Sequence, residues 1–146
     1  MSDRAEERAN HFEKIGVQQR LFNRHQFLQA KRESRDRGIS PGELLLEQGL
    51  LNREQLRGLD RAVTYRIGRD EDKAIAKIII DSNYCEAPMV EGALKRQKDF
   101  YSKTGELMRL GVLLVEGRTL SESQRIAAYK IHEIERRGVA SPRSPL

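Results

Sequence analysis

An internal repeat constrains the fold of this chain more than any other feature. Residues 20–27 return at 49–56, shifted by 29 residues, with Leu, Asn, Arg and Gln retained. Two more divergent copies occupy 83–90 and 118–125. Copies at such a spacing are typical of stacked helical units that share a core. The repeat therefore predicts a mainly α fold of four tandem helix-turn-helix units, with about eight helices.

The second copy indicates how each unit is built. Gly49 suits the left-handed backbone conformation that ends many helices. Asn52 then caps the next helix, and Gln55 is its expected reciprocal partner in a capping box. Apolar residues at helical spacing, beginning with Leu56, predict the buried face of that helix. The expected caps of the second helices in the four units are Asn23, Asn52, Glu86 and Ser121.

The same periodicity predicts the core. The residues expected to be buried are Leu45, Leu46, Leu51, Leu56, Val90, Leu94, Leu114 and Ile131. In the fourth unit, Arg125 stands where Leu56 anchors the second unit. We therefore expect a shifted stripe of Ala127, Ile131 and Ile134 to supply the buried face of that helix.

The four units group into two pairs. We expect the first pair at residues 1–66 and the second at 70–137, with a linker at 66–70 and a disordered tail at 138–146. A single helix over residues 3–19 is expected to lead into the first unit. The two halves are similar in charge, so the net charge of +5 does not arise from a basic arm.

Composition bounds the class of protein. The 146 residues are 38% hydrophobic, which is enough for a real core, but every apolar run is too short to cross a membrane. The first residues do not resemble a basic and apolar leader with a small-residue cleavage site, so we do not expect export by the common signal-peptide route. The single cysteine, Cys85, cannot form an internal disulfide, which fits a reducing cytoplasm. It lies at a turn position that is apolar in the first two copies, so we expect a core residue rather than a nucleophile.

Motifs for catalysis are missing from the sequence. The three histidines, His11, His25 and His132, are scattered over three units, and no Cys, His and acidic residues have metal-ligand spacing. No phosphate-binding Gly-Lys-Ser/Thr loop or nucleophile motif occurs. The acidic runs at 6–7 and 70–72 are typical of solvated helix ends. We therefore expect that the chain is not an enzyme.

A DNA-binding helix-turn-helix is a further alternative. With Gly49 as the turn glycine, the following helix would need apolar residues where Asn52 and Gln55 stand. Arg53 and Arg57 share a helical face, but arginines at this spacing are ordinary on an exposed helix. Nucleic-acid binding is therefore kept as an alternative, on the basis of net charge alone.

The repeat also carries a family resemblance. The pattern Gly42-x-x-Leu45-Leu46-x-x-Gly49-Leu50-Leu51-x-x-x-x-Leu56 resembles the repeated motif of the MshEN domain, the N-terminal module of bacterial type II secretion and type IV pilus assembly ATPases. The resemblance extends from residue 11 to 134, as two successive pairs. It implies a mainly helical module in which the two motifs of a pair bind cyclic di-GMP. No motor motif accompanies it, so it implies no ATPase activity.

The sequence departs from the family motif at most of the positions that would bind the ligand. The opening Arg-Leu-Gly is kept only as Arg109, Leu110 and Gly111, and the closing glutamine only as Gln97. A dianionic dinucleotide needs charged and backbone donors from both motifs of a pair. We therefore expect a non-enzymatic adaptor or regulatory module that binds a protein partner and has a degenerate nucleotide site. The alternative is a cyclic di-GMP receptor that uses these four residues of the second pair.

Overall fold

Seven α-helices make up the part of the chain that the structure describes. The structure is a computed structural model that describes residues 3–138, and within this stretch it contains no strand. The helices are α1 (Asp3–Gln18), α2 (Arg24–Arg37), α3 (Pro41–Glu47), α4 (Arg53–Asp81), α5 (Ala87–Thr104), α6 (Leu110–Glu116) and α7 (Glu122–Arg136). The predicted helical class is confirmed, but the expected count of about eight helices is wrong.

The second helix of each repeat unit begins where the sequence predicts it. Helices α2, α4, α5 and α7 each start one residue after the expected cap. At Asn23, Asn52 and Ser121 the side chain accepts a hydrogen bond from the backbone of the glutamine three residues later, and that glutamine's side chain accepts one from the cap's own N–H. Glu86 occupies the N-cap position of α5 but makes no side-chain capping bond.

All four repeat copies fold into the same turn. Its first residue has a positive φ in every copy: 59° at Arg20, 77° at Gly49, 60° at Asn83 and 61° at Arg118. The N–H of this residue donates to the carbonyl three residues earlier, and the next N–H donates to the carbonyl five residues before it, each at 3.0 Å. The second of these bonds is the one that closes a Schellman motif at a helix end. The sequence repeat is therefore a repeat of one helix end and one helix start.

The long helix α4 accounts for the missing eighth helix. Residues 66–70, expected to form a linker, lie inside this 29-residue helix. A lone glycine costs a helix only about 1 kcal/mol relative to alanine, and no proline accompanies Gly68. Gly68 is needed for packing instead, because a Cβ at this position would lie 2.3 Å from Cδ2 of Leu107.

The chain forms two compact units, Met1–Ile67 and Gly68–Leu146, each with its own hydrophobic core. The first core includes a cluster of Phe12, Phe22 and Phe27, whose ring centroids lie 5.8 to 5.9 Å apart. Its other buried members are Ile15, Ala30, Leu44, Leu45, Leu51, Leu56, Leu59 and Val63. The second core consists of Ile75, Ala76, Ile78, Ile79, Val90, Ala93, Leu110, Leu114, Leu120 and Ala128.

Most of the predicted core residues are buried. Leu45, Leu51, Leu56, Val90 and Leu114 are buried, whereas Leu46, Leu94 and Ile131 are partly buried. The anchor stripe expected on α7 is only partly correct: Ile131 packs, partly buried, against the second core, but the buried residue of this helix is Ala128, and Ala127 and Ile134 are partly exposed. Cys85 is partly buried against the second core, and its Sγ donates to the carbonyl oxygen of Thr119 at 3.0 Å.

Among the described residues, no helix is both long enough and apolar enough to cross a membrane. The tail expected at 138–146 lies, apart from Gly138, outside the described residues.

Candidate functional site

A fully buried carboxylate, Asp72, forms the centre of a polar cluster in the second unit. It lies on α4 three residues before Ile75, so its side chain points towards the core with that residue's face. Its Oδ2 accepts the N–H of Leu110 at 2.9 Å and the Nε2 of Gln97 at 2.6 Å. The first of these bonds satisfies a backbone donor at the N-terminus of α6. An anion there also complements the helix dipole.

Gln97 is buried, and both the nitrogen and the oxygen of its side-chain amide are hydrogen-bonded. Its Nε2 donates to the carbonyl oxygen of Met108 at 2.8 Å, in addition to Asp72. Its Oε1 accepts from Nη1 of Arg69 at 3.2 Å, and the same Nη1 donates to the carbonyl oxygen of Leu94 at 2.9 Å. The amide thus connects α4, α5 and the segment before α6.

Arg109 makes the charged contacts of the cluster. Its Nη2 lies 2.8 Å from Oδ1 of Asp72, and its Nε lies 3.2 Å from both carboxylate oxygens. A further ion pair joins Nη2 to Glu71. Burial alone would lower the pKa of Arg109, but the hydrogen bonds to Asp72 and Glu71 outweigh it and raise the pKa above its usual value. The guanidinium is therefore charged at any physiological pH, and its charge is matched within the protein.

Gly111 is covered by side chains from α7. A Cβ at Gly111 would lie 3.0 Å from Cε2 of Tyr129 and 3.1 Å from Cδ of Arg125. The guanidinium carbon of Arg125 lies 5.6 Å from the centroid of the Tyr129 ring, and Arg125 also pairs with Glu122. Burial raises the pKa of Tyr129, and the charge of Asp72 adds to the effect. Arg125 therefore does not serve as a core anchor. Its side chain packs against Gly111 of α6.

The structure thus brings the four residues predicted for the nucleotide site, Gln97, Arg109, Leu110 and Gly111, to the region around α6. It also identifies two partners that the sequence analysis missed, Asp72 and Glu71. The expectation that the acidic run 70–72 lies on a solvated helix end is wrong for Asp72, because α4 continues through this run. The spacing from Asp72 to Ile75 and Ile79 is the sequence signal that could have identified it, had the helix been taken as unbroken.

The cluster is chemically complete. Within residues 3–138, every buried side-chain nitrogen and oxygen atom has a hydrogen-bond partner. The same stretch contains no group of His, Cys and acidic side chains that could hold a metal ion. Paired charges of this kind favour one arrangement of the helices.

The first unit has different side chains at the corresponding positions. When the turns at Arg20 and Asn83 are aligned, Ala9 corresponds to Asp72 and Ser34 to Gln97. Alignment of the turns at Gly49 and Arg118 makes Ser40 correspond to Arg109. Next to Ala9 and Ser40 the first unit has a cavity of about 320 Å³. It is lined by residues of α1, α2, α3 and α4, and by Ser40 from the turn before α3.

The chain was compared with protein-family models, curated proteins and solved structures, and none of them matches it.

Proposed function

We propose that this chain is a non-enzymatic adaptor or regulatory module, similar to two tandem MshEN pairs, in which the nucleotide site of the second pair has become a structural cluster. The observation that carries the proposal is the pairing of Arg109 with two carboxylates of its own chain, Glu71 and Asp72. In a receptor for an anionic dinucleotide, an arginine at this motif position would be expected to meet the ligand. In this chain Arg109 instead forms an ion pair with the buried Asp72.

The energetics of ligand exchange favour the adaptor. A ligand phosphate that took Arg109 away from Asp72 would leave a fully buried carboxylate without its charged partner. Breaking a buried pair in this way costs about 3 to 5 kcal/mol. Since each 1.4 kcal/mol is tenfold in affinity, the exchange would weaken binding by at least about a hundredfold.

One observation favours the receptor as the second candidate. Gln97 and Arg109, which come from two different motifs, both contact Asp72. A cyclic di-GMP site also needs residues of both motifs to converge. The two candidates therefore differ in one measurable respect, namely whether the cluster opens for a ligand.

Equilibrium binding of fluorescently labelled cyclic di-GMP to the purified chain distinguishes the candidates. We expect no saturable binding at micromolar protein. Arg109→Lys is the informative variant, because it keeps the positive charge beside Asp72 and loses the planar fork of donors. Its matched control is Arg96→Lys, at an exposed position on α5. Micromolar binding that the first variant abolishes and the control retains would replace the adaptor with the receptor.

The adaptor proposal also has a test of its own. Val112 on α6 and Ile126 on α7 are 42% and 48% exposed, on two helices that contact each other. A photo-crosslinking amino acid at either position, introduced in the native cells, should give a discrete adduct with a protein partner. The same amino acid at the exposed Lys130 of α7 serves as the control. Identical adduct patterns at all three positions, or none at all, would argue against an adaptor surface here.

A further inference from the structure

The cavity of the first unit has a largely apolar wall. Four of its lining residues belong to the buried core: Phe12, Phe27, Leu56 and Val63. Ala5, Ala9, Pro41 and Gly42 complete the apolar part of the lining. Its volume of about 320 Å³ falls at the lower end of the range of pockets that bind small molecules. The cavity is thus suited to one small, mostly apolar ligand.

At three positions around the cavity, the first unit has a smaller side chain than the second unit has at the corresponding position. Two of these differences, Ala9 in place of Asp72 and Ser40 in place of Arg109, concern residues that line the cavity. The third concerns the pair in which Leu107 packs on Gly68 in the second unit.

At the two positions that correspond to this pair, the first unit has Gly38 and Ala5, so no leucine covers the cavity wall at Ala5. A Cβ added to Gly38 would meet nothing within 4 Å. The shared fold therefore has a filled polar cluster in one unit and an apolar cavity in the other.

The charged side chains of the lining are one cation, Arg8, and two carboxylates, those of Glu43 and Asp60. Arg8 is already engaged, since both of its Nη atoms lie 3.3 Å from Oγ1 of Thr64. Glu43 lies 3.9 Å from Arg53.

Asp60 is the lining carboxylate with the weakest compensation. Among the described residues, it makes no hydrogen bond or ion pair of its own. Although its side chain is exposed, partial desolvation raises the pKa of Asp60, and the charge of Arg8 opposes the effect. An ammonium group beside this carboxylate would favour its charged form, as a nearby opposite charge does.

We propose that the cavity of the first unit is a binding site for a small primary amine with an apolar or aromatic body, whose ammonium group pairs with Asp60 while its body packs against Phe12, Phe27 and Leu56. The cavity lies in the first unit and the Asp72 cluster in the second. This site is therefore independent of the adaptor proposal.

Three probes of matched shape test the class of ligand. They are phenethylamine, the neutral phenethyl alcohol and the anionic hydrocinnamate, each titrated into the full chain and followed by amide-resolved NMR. We expect saturable shifts at the amides of Ala9, Gly42 and Val63, with phenethylamine bound up to about fivefold more tightly than the alcohol, because an ion pair with an exposed carboxylate contributes up to about 1 kcal/mol. Tighter binding of hydrocinnamate, or no saturable shift with any probe, would overturn the proposal.

Two variants separate the body of the ligand from its charge. Ala9→Leu fills the cavity and should reduce phenethylamine affinity at least tenfold. Asp60→Asn keeps the volume and should remove the preference for the amine over the alcohol. The matched controls are Ala74→Leu and Asp70→Asn, at exposed positions of α4 in the second unit. Far-ultraviolet circular dichroism checks folding. Should Ala9→Leu fail to fold, Asp60→Asn decides alone, and an unchanged amine preference in it would refute the site.

Discussion

At the scale of single residues, Asp72 is the most consequential side chain in the second unit. It joins α4 to α5 through Gln97 and to α6 through Arg109 and the N–H of Leu110. A buried ion pair of this kind adds little net stability over a well-packed apolar pair, but removal of one partner leaves the other charge uncompensated. The cluster therefore favours one packing of the helices more than it stabilises the fold.

Replacement of this aspartate should be strongly destabilising. We expect Asp72→Ala to lower the free energy of unfolding by about 3 kcal/mol, because the buried N–H of Leu110 loses its acceptor and both Gln97 and Arg109 lose one of their partners. Chemical denaturation measures the effect. Asp70→Ala, two residues away and exposed, should change it by no more than about 0.5 kcal/mol. Equal effects at the two positions would mean that the cluster is not formed in solution.

At the scale of secondary structure, the second helix of the second unit combines a cap, Asn52, with a buried anchor, Leu56. Leu56→Ala should cost on the order of 2 to 5 kcal/mol, as removal of a buried leucine does. The lower part of this range is expected, because Leu56 already adjoins a cavity and is 8% exposed. Asn52→Ala should cost about 1 kcal/mol, the usual loss for a missing cap. Urea denaturation that reversed this order would contradict the roles assigned to the two residues.

The four turns differ in strain although they share one geometry. Gly49 tolerates a positive φ at no steric cost, whereas Arg118 holds a φ of 61° with a full side chain. The left-handed conformation costs a residue with a Cβ roughly 1 to 2 kcal/mol. We expect Arg118→Gly to raise the free energy of unfolding by up to about 1 kcal/mol, since part of this gain is offset by the greater entropy of glycine in the unfolded chain. Thermal unfolding measures the gain.

Gly49→Ala is the converse control for the same turn. It should be destabilising by about 1 kcal/mol, because alanine must then adopt the left-handed conformation. If Arg118→Gly lowered stability instead, the positive φ of the fourth turn would be in doubt.

How well the fold could be predicted from the sequence depends on how far apart in the sequence the interacting residues lie. Capping pairs such as Asn52 and Gln55 lie three residues apart, and their signals are contained in the repeat itself. These helix starts were predicted correctly. The partners of Asp72 lie 25, 37 and 38 residues later, in Gln97, Arg109 and Leu110. The spacing from Asp72 to Ile75 and Ile79 indicates burial only when the helix is taken as unbroken at Gly68. The predicted linker therefore led both to the eighth helix and to the solvated acidic run, and both predictions were wrong.

The candidate site was predicted in part for the same reason. Gln97 and Arg109 were grouped through a family resemblance, and both do contact one residue, Asp72. Their shared partner could not be predicted from a motif that does not include it. The cavity of the first unit had no signal at all, since it results from small side chains such as Ala9 at positions where the other unit has large ones.

At the scale of the whole molecule, the two units share one sequence repeat but have separate cores and different polar chemistry. The first is apolar where the second carries a charged cluster. Charged residues are spread along both, so the net charge of +5 does not by itself indicate a nucleic-acid surface. Repeat proteins of this kind have stabilities that are partly local to each unit.

Separate cores predict separate protection against unfolding. Leu45 is fully buried in the first core, so Leu45→Ala should cost about 2 to 5 kcal/mol there. In native-state hydrogen exchange, amides of α2 and α3 should then exchange faster, while those of α5 and α6 keep most of their protection. Within α4 the change should fade near Gly68, where the two units divide. Leu114→Ala, the equivalent change in the second core, should give the mirror pattern. Uniform loss of protection along the whole chain in both variants would mean that the two units unfold as one, because separate cores can transmit such a loss only when their unfolding is coupled.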